Sequence, residues 1–213
     1  MPARDLALIA VFAALIAALG LGGAFQVPFS EVPITAQTLG VMLAGSVLGA
    51  RRGALAVVVF LVLVAVGLPL LPPSPARPQG GLLPFTSVSA GYLFGWIAGA
   101  FVIGLLVDHR PARFSLGWII GANIIGGIGV VYAFGVPVQA FITHVRLGTA
   151  FVHSFVLLPG DLAKVTVSAV VTGAVLRGYP GIVPPRYAER RALAAAAAAG
   201  SEPVDVPSAP QQH

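Results

Sequence analysis

The sequence predicts an all-α integral membrane protein: a bundle of six transmembrane helices with both termini in the cytoplasm. Of its 213 residues, 57% are hydrophobic and only 9% are charged, whereas about 25% of the residues in soluble domains are charged. Apolar runs of roughly the length that crosses a bilayer recur along the chain, separated by loops rich in proline, glycine and arginine. So few charges cannot cover a water-facing surface, and a soluble fold is therefore excluded.

The first three predicted helices are apolar runs that end at polar, glycine or proline residues. The first covers about Leu6–Phe25 and is followed by the polar, proline-bracketed loop Gln26–Thr35. The second, Gln37–Leu48, is short for a full crossing. The residues Arg51–Gly53 predict a tight turn into the third helix, which covers about Ala54–Leu71.

The other three predicted helices follow a loop rich in proline and glycine, Pro72–Pro84. The fourth helix covers about Ser89–Val107 and the fifth about Leu116–Phe134, and both are almost wholly apolar. The mixed composition of Gly135–Leu158 predicts a partial helix with loops. The sixth helix is predicted over about Pro159–Arg177.

The two ends of the chain require separate interpretation. Arg4 and the apolar run after it have the layout of a signal peptide, but the run is about 20 residues long and no convincing small-x-small cleavage site precedes Gln26. We interpret this run as an uncleaved first span, so residues 1–180 form the predicted membrane domain. Residues 181–213 carry an alanine run and then serine, glutamate and proline, which predicts a disordered cytoplasmic tail.

The distribution of arginine predicts the orientation, because short loops with an excess of lysine and arginine stay in the cytoplasm. The loops after the first, third and fifth helices then face outward. These outer loops are longer and richer in proline and glycine than the inner ones, which favours a solute site on the outer side, although outer loops are also often long for no functional reason. The inner side collects Arg4, Arg51, Arg52, Arg110, Arg113, Arg177, Arg186, Arg190 and Arg191, and the outer side only Arg77 and Arg146.

Several functional classes lack the residues that they need. The chain contains no cysteine, which excludes a disulfide scaffold, thiol catalysis and thiolate metal sites. It has no glycine-rich phosphate loop, HExxH or GxSxG motif for ATP binding or hydrolysis, and His144 and His153 have no carboxylate at ligand spacing. The net charge is +5, and most of the basic residues lie in loops and the tail. They form no basic face that would bind nucleic acid. We expect no cofactor and no metal.

Asp161 and Lys164 are the strongest candidates for ligand binding. They lie three residues apart at the start of the sixth helix and so share one helical face. Charges at membrane depth are costly and need a partner or a task. An ion pair at the outer mouth of the helix presents a carboxylate and an ammonium group to a ligand, or it serves only as a structural salt bridge beside a helix cap.

Two polar residues lie at the mouth of the second helix. Thr35 is placed to cap the helix or to bind a solute, and the two roles are left open. Gln37 offers an amide donor and acceptor, for which binding is favoured.

The fourth and fifth helices add further candidates. Ser89, Gly91 and Tyr92 open the fourth helix, where hydroxyl and backbone NH groups are available to a small polar ligand and glycine permits a close approach. Asn123 lies within the fifth helix and either faces the ligand or makes an interhelical hydrogen bond.

Ala10, Ala14 and Ala18 form a strip of small residues at four-residue spacing on the first helix. Such a strip lets a second helix approach closely. It serves packing within the bundle or the docking of a separate membrane subunit.

Three segments together resemble the BioY family, the biotin-binding S components of energy-coupling-factor (ECF) transporters. They read VPITAQTLGVMLAG from Val32 to Gly45, LGARRGALA from Leu48 to Ala56, and LPGDLAK from Leu158 to Lys164. They keep the family's order and spacing, and the resemblance covers about residues 6–179. It implies a six-helix bundle in a prokaryotic plasma membrane that captures biotin from outside.

The resemblance also implies roles for single residues. Asp161 and Lys164 match the family's Pro-Gly-Asp-x-x-Lys signature, and the first-loop motif matches at two positions, Thr35 and Gln37. The fourth helix departs from the family's Gly-Pro-Thr-Gly-Gly-Tyr, because the stretch here is Ser-Val-Ser-Ala-Gly-Tyr. Gly91 and Tyr92 match outright, and a serine replaces the threonine.

The resemblance further implies a transmembrane coupling subunit and two cytosolic ATPases, which alone would use ATP. Three alternatives stay open: a solo transporter, an S component for another small vitamin, and an intramembrane enzyme, for which Asp161 and Lys164 make a poor catalytic pair.

Overall fold

The computed structural model describes residues 2–25, 32–72, 79–109 and 115–179, together with Leu193 and Ala196. Within these ranges the α-helices are α1 (Ala3–Gly20), α2 (Gln37–Leu48), α3 (Ala50–Ala65), α4 (Ala90–Asp108), α5 (Leu116–Asn123), α6 (Val131–Thr143), α7 (Leu147–Ser154) and α8 (Leu158–Gly178). Apart from Leu193 and Ala196, the tail predicted at 181–213 lies outside the described residues. So do six of the arginines used to predict orientation: Arg77, Arg110, Arg113, Arg186, Arg190 and Arg191.

The described helices join into six rods. A π-helical segment, Ile124–Val130, connects α5 to α6, and a 3-10 turn, Phe155–Leu157, connects α7 to α8. Four rods are long and apolar enough to cross a membrane: α1, α4, the 28-residue α5–α6 rod and the 32-residue α7–α8 rod. The two others, α2 and α3, have 12 and 16 residues. The protein is therefore a mainly helical membrane protein.

The turn between α2 and α3 lies earlier than predicted. The prediction of a turn at Arg51–Gly53 is wrong, because these residues lie inside α3. The chain reverses instead at Gly49, whose φ of 80° is accessible to glycine at little cost. Arg52 Nε donates to Leu48 O at 3.0 Å, and Arg52 Nη1 lies 3.1 Å from Asp5 Oδ1 on α1. These two bonds pair Nε and Nη1 of the buried Arg52 side chain and tie α3 to α1.

The segment predicted as a partial helix with loops, Gly135–Leu158, is helical over almost its whole length. Pro137 lies inside α6 without ending it. A proline removes one backbone hydrogen bond from a helix, but Val136 and Ala140 on the same helix pack against Ala150 of α7 and hold it in place. The chain turns only after Thr143, where His144 adopts a left-handed conformation with φ 56°.

The first helix ends earlier than predicted. It stops at Gly20, and the chain then forms a two-residue strand, β1 (Ala24–Phe25). This strand pairs antiparallel with β2 (Ile34–Thr35), and Ala24 lies opposite Thr35. The pairing holds β2 against the start of α2. A Cβ atom at Gly160 would lie 3.4 Å from Ile34 Cγ2, so β2 lies at the same end of the bundle as the start of α8.

Helix α4 lies in the middle of the bundle and packs against α2, α3 and α6. Gly91, Gly95 and Gly99 form its face toward α6, and a Cβ atom at any of them would press against a backbone carbonyl of α6 or of the π segment. On another face of α4, the Trp96 ring packs 6.3 Å from the Phe60 ring of α3. The close approach of α4 and α6 brings the polar residues on both helices together.

Candidate functional site

Asp161 and Lys164 form a largely buried ion pair at the start of α8. Lys164 Nζ lies 2.9 Å from Asp161 Oδ1, and the exposed fractions of the two side chains are 13% and 10%. The pair follows the 3-10 turn and Pro159, so Asp161 lies in the first turn of α8. A carboxylate there is favoured by the positive end of the helix dipole. The pairing predicted from the three-residue spacing is present.

Two tyrosines extend this ion pair into a polar network. Tyr132 on α6 donates its hydroxyl hydrogen to Asp161 Oδ2 at 2.7 Å. Its ring meets the Tyr92 ring edge to face, with 6.1 Å between the centroids. Tyr92 in turn donates to Gln139 Oε1 at 2.8 Å, and its hydroxyl lies 3.3 Å from Ser154 Oγ. Both oxygens of the Asp161 carboxylate therefore have partners.

The ion pair and both tyrosine rings line one small cavity, the ligand cavity. The space inside it is about 40 Å³, whereas ligand pockets usually measure about 300–1,000 Å³. The cavity is thus smaller than a typical ligand pocket. The lining residues are Val32, Pro33, Ile34, Thr35, Thr38, Ser89, Tyr92, Leu93, Trp96, Gly127, Val131, Tyr132, Leu157, Asp161 and Lys164.

The π segment determines which part of the α5–α6 rod faces the ligand cavity. A π-helical turn takes one residue more than an α-helical turn, and such turns occur frequently at functional sites. Gly127 within the segment and Val131 and Tyr132 just after it all line the cavity. A Cβ atom at Gly127 would lie 2.6 Å from Met42 Cε, so the glycine also lets the rod approach α2.

Five of the predicted binding residues meet at the ligand cavity: Thr35, Ser89, Tyr92, Asp161 and Lys164. Thr35 belongs to β2, and no side chain caps α2, whose preceding residue is Ala36. The capping alternative for Thr35 is therefore wrong. Thr35 and Ser89 are both buried beside the cavity, where their hydroxyl groups add to its polar lining.

Gln37 and Gly91 lie outside the lining of the ligand cavity. Gln37 is fully buried, and its Nε2 donates to Leu70 O at 2.9 Å and to Ile16 O at 3.3 Å. Its Oε1 has no hydrogen-bond partner among the described residues, so a ligand role for this amide stays a prediction. At Gly91 a Cβ atom would collide with Phe134 O, so the glycine serves the packing of α4 against α6.

Asn123 also lies away from the ligand cavity and connects three helices. It is fully buried at the end of α5. Its Oδ1 accepts hydrogen bonds from Ser46 Oγ of α2 at 3.3 Å and from Ser168 Oγ of α8 at 3.4 Å, and its Nδ2 donates to Ile119 O at 2.9 Å. This geometry corresponds to the interhelical hydrogen bond that the sequence left open beside ligand contact.

We expect Asn123→Ala to destabilise the bundle without weakening the binding of a ligand in the cavity. The change removes the acceptor of two buried hydroxyl groups, which costs about 1–3 kcal/mol. Ser46→Ala, the matched control, removes one of these bonds and should cost about 0.6 kcal/mol, the mean for interhelical bonds in a membrane. Thermal unfolding in detergent measures the loss of stability, and ligand titration measures the affinity. A selective loss of affinity in Asn123→Ala would place the asparagine in the binding site.

Sequence reasoning missed two aromatic residues of the site, Tyr132 and Trp96. A signal for Trp96 existed, because it lies four residues after the candidate Tyr92 and so on the same face of α4. The sequence signal for Tyr132 was weaker: a tyrosine hydroxyl group inside an apolar run usually needs a hydrogen-bond partner. Its partner, Asp161, lies 29 residues further along the chain.

The strip of small residues on α1 faces away from the bundle. Ala10, Ala14 and Ala18 are exposed, whereas Ala13 and Ile16 on the opposite side are buried. The strip is therefore accessible to lipid or to another helix, and its role in docking stays a prediction.

Comparison with known proteins identifies the family. The model of the BioY family matches residues 1–181. The chain belongs to the BioY family. Two members named biotin transporter BioY are close relatives: that of Rhizobium etli is 48% identical over 185 residues, 84% of this chain and 97% of the relative. That of Rhodobacter capsulatus is 43% identical over 189 residues, 83% of this chain and 95% of the relative.

A solved structure shares the fold of this BioY family member. It is the 2.1 Å crystal structure of the S-component for biotin from an ECF-type ABC transporter. The TM-score is 0.77 at 27% sequence identity, with 82% of this chain and 91% of the solved chain covered. BioY proteins are thus transporter components, and the chain is not an enzyme.

Proposed function

We propose that this BioY family member is the substrate-binding S component of a biotin uptake system. It captures biotin on the outer side of the prokaryotic cell membrane and moves it across. In this proposal all six rods span the membrane and both termini are cytoplasmic. The names of the relatives and of the solved structure support the substrate, and the excess of arginine in the inner loops supports the orientation.

The observation that carries the proposal is the buried ion pair of Asp161 and Lys164 at the edge of an aromatic cavity. Biotin has a bicyclic ureido head, whose two NH groups donate and whose carbonyl accepts, and an acidic tail. A carboxylate accepts from ureido NH groups, and an ammonium group donates to a carbonyl or carboxylate oxygen. A few aimed polar groups within an apolar wall suit such a solute.

The proposal includes partner subunits. A transmembrane coupling subunit would dock on the strip Ala10, Ala14 and Ala18, and two cytosolic ATPases would drive transport. The exposure of the strip on α1 supports this assignment, because close approach between membrane helices depends on small residues. The solved structure is named as an S-component from an ECF-type ABC transporter, which supports the presence of partner subunits.

Titration of the detergent-solubilised full chain with biotin by calorimetry tests the substrate. We expect saturable binding of one biotin per chain, with no comparable signal for thiamine or riboflavin. Radiolabelled biotin should be retained on the purified protein and displaced by unlabelled biotin. No heat and no retained biotin at micromolar concentration would contradict the proposal, and saturable binding of thiamine or riboflavin instead would reassign the vitamin.

A further inference from the structure

A second cavity, much larger than the ligand cavity, lies between α6 and the α7–α8 rod. We call it the lateral groove. Its volume is about 600 Å³, and its wall includes Val136, Gly148, Phe151 and Leu158. Every residue that lines it is apolar except Tyr132, whose hydroxyl group is directed to Asp161. The groove thus offers the volume of a ligand pocket, about 300–1,000 Å³, with almost no polar group to bind a water-soluble ligand.

The lateral groove lies between two apolar rods, and several of the side chains that line it are exposed. Both of its sides belong to rods that are long and apolar enough to cross a membrane. Leu147, Phe151 and Phe155, which line the groove, are half exposed. Exposed apolar surface of this kind marks a protein–protein or membrane interaction site, and inside a bilayer the apolar matter that surrounds a protein is the lipid acyl chain.

A positively charged residue directly precedes the lateral groove along the chain. Arg146 occupies the turn between α6 and α7 and directly precedes Leu147 and Gly148, which line the groove. It is exposed, and its guanidinium group has no hydrogen-bond or ion-pair partner among the residues that the structure describes. A guanidinium group matches the geometry of a phosphate, and this turn joins two rods that are apolar and long enough to cross a membrane.

We propose that a single phospholipid occupies the lateral groove, with one acyl chain along the α6–α7 wall and its phosphate held by Arg146. The apolar lining of the groove selects the acyl chain, and the charge of Arg146 selects the phosphate headgroup. The acyl chain would pack against the outer side of the Tyr132 ring, the same ring that lines the ligand cavity on its other side. This proposal does not depend on the identity of the transported solute.

Native mass spectrometry of the full chain, released from detergent with dioleoyl phosphatidylglycerol added, tests the proposal. We expect the wild type to retain one lipid. Gly148→Trp fills the groove and Arg146→Gln removes the charge, and each should lower the retained fraction at least fivefold. Dioleoyl glycerol, which has the same chains and no phosphate, should be retained at least fivefold less than the phospholipid by the wild type.

Two matched variants control for nonspecific loss of lipid. Gly121, like Gly148, has nothing within 4 Å of an added Cβ atom and lies outside the groove. Arg51 is also exposed and precedes no residue of the groove. Gly121→Trp and Arg51→Gln should retain lipid as the wild type does. If Gly148→Trp fails to fold, Arg146→Gln tests the proposal by itself, because Arg146 is exposed.

Three results would overturn the proposal. The first is equal retention by Arg146→Gln and the wild type, and the second is an equal loss of lipid in Arg51→Gln. The third is a dimer mass that Gly148→Trp abolishes while no lipid is retained, which would make the groove a contact between two copies of the chain.

Discussion

Asp161→Asn should lower the free energy of unfolding by about 3–5 kcal/mol, the usual cost of leaving one member of a buried ion pair without its partner, and should abolish measurable biotin binding. The ammonium group of Lys164 would face an amide in place of its only hydrogen-bond acceptor among the described residues. Lys164→Gln should lower the free energy of unfolding by less, because Asp161 still accepts the hydrogen bond that the Tyr132 hydroxyl group donates at 2.7 Å. Thermal unfolding with and without biotin measures both quantities.

The double variant Asp161→Asn with Lys164→Gln separates a structural role from a ligand role. Two neutral amides can hydrogen-bond to each other, so much of the lost stability should return. Biotin stabilisation should not return, because the carboxylate acceptor and the ammonium donor are both gone. A double variant that biotin stabilises as strongly as the wild type would refute the ligand role and leave only a salt bridge.

The ion pair of Arg52 and Asp5 provides a matched control. Its nitrogen and oxygen lie 3.1 Å apart, its side chains are 10% and 20% exposed, and neither residue lines the ligand cavity. Asp5→Asn should therefore reduce stability without changing the affinity for biotin. An equal loss of affinity in this control would show that general destabilisation, and not lost ligand contact, explains the result at Asp161.

The ion pair was predictable because charges are rare in the apolar spans. Asp161 and Lys164 lie three apart within an apolar run, so a helix must place them on one face, and two charges at membrane depth require each other. Nothing beyond local spacing was needed. The same holds for α4 and α8, whose predicted ends agree closely with the structure because charged residues, proline or glycine mark them.

The surroundings of Gln37 and Asn123 were not predictable in the same way. A membrane helix is apolar toward lipid and toward its neighbours, so the hydrophobic pattern does not indicate which face is buried. Both amides could be recognised as polar groups that need partners. Their partners, Leu70 O and Ser46 Oγ, lie 33 and 77 residues away in sequence, and only the packed bundle identifies them.

At Tyr132, helix geometry would mislead a prediction as well. The π segment takes one extra residue in its turn, so every later side chain rotates by about 100° relative to a regular α-helix. A helical wheel drawn from Leu116 therefore points Tyr132 in the wrong direction. The predicted helix also ended too early, at Phe134, whereas α6 continues through Pro137 to Thr143 and packs against α7.

Ala14→Trp should abolish assembly with the coupling subunit and leave biotin binding unchanged. Ala14 is the central member of the strip Ala10, Ala14 and Ala18, and its side chain is exposed on α1. Close contact between membrane helices depends on small residues, because the apolar surface gains nothing over lipid. A tryptophan at the centre would separate the two backbones. Co-purification of the chain with co-expressed coupling subunit and ATPases measures assembly.

The same substitution on another exposed surface distinguishes lost docking from a general effect of a large side chain. Ala174 is exposed on α8, so Ala174→Trp should assemble as the wild type does. Biotin binding should persist in both variants, because neither residue lines the ligand cavity. If Ala14→Trp loses biotin binding and still assembles, the strip belongs to the support of the cavity. If both variants fail to assemble, the strip has no special role, because any bulky residue on the lipid-facing surface would then be enough to prevent assembly.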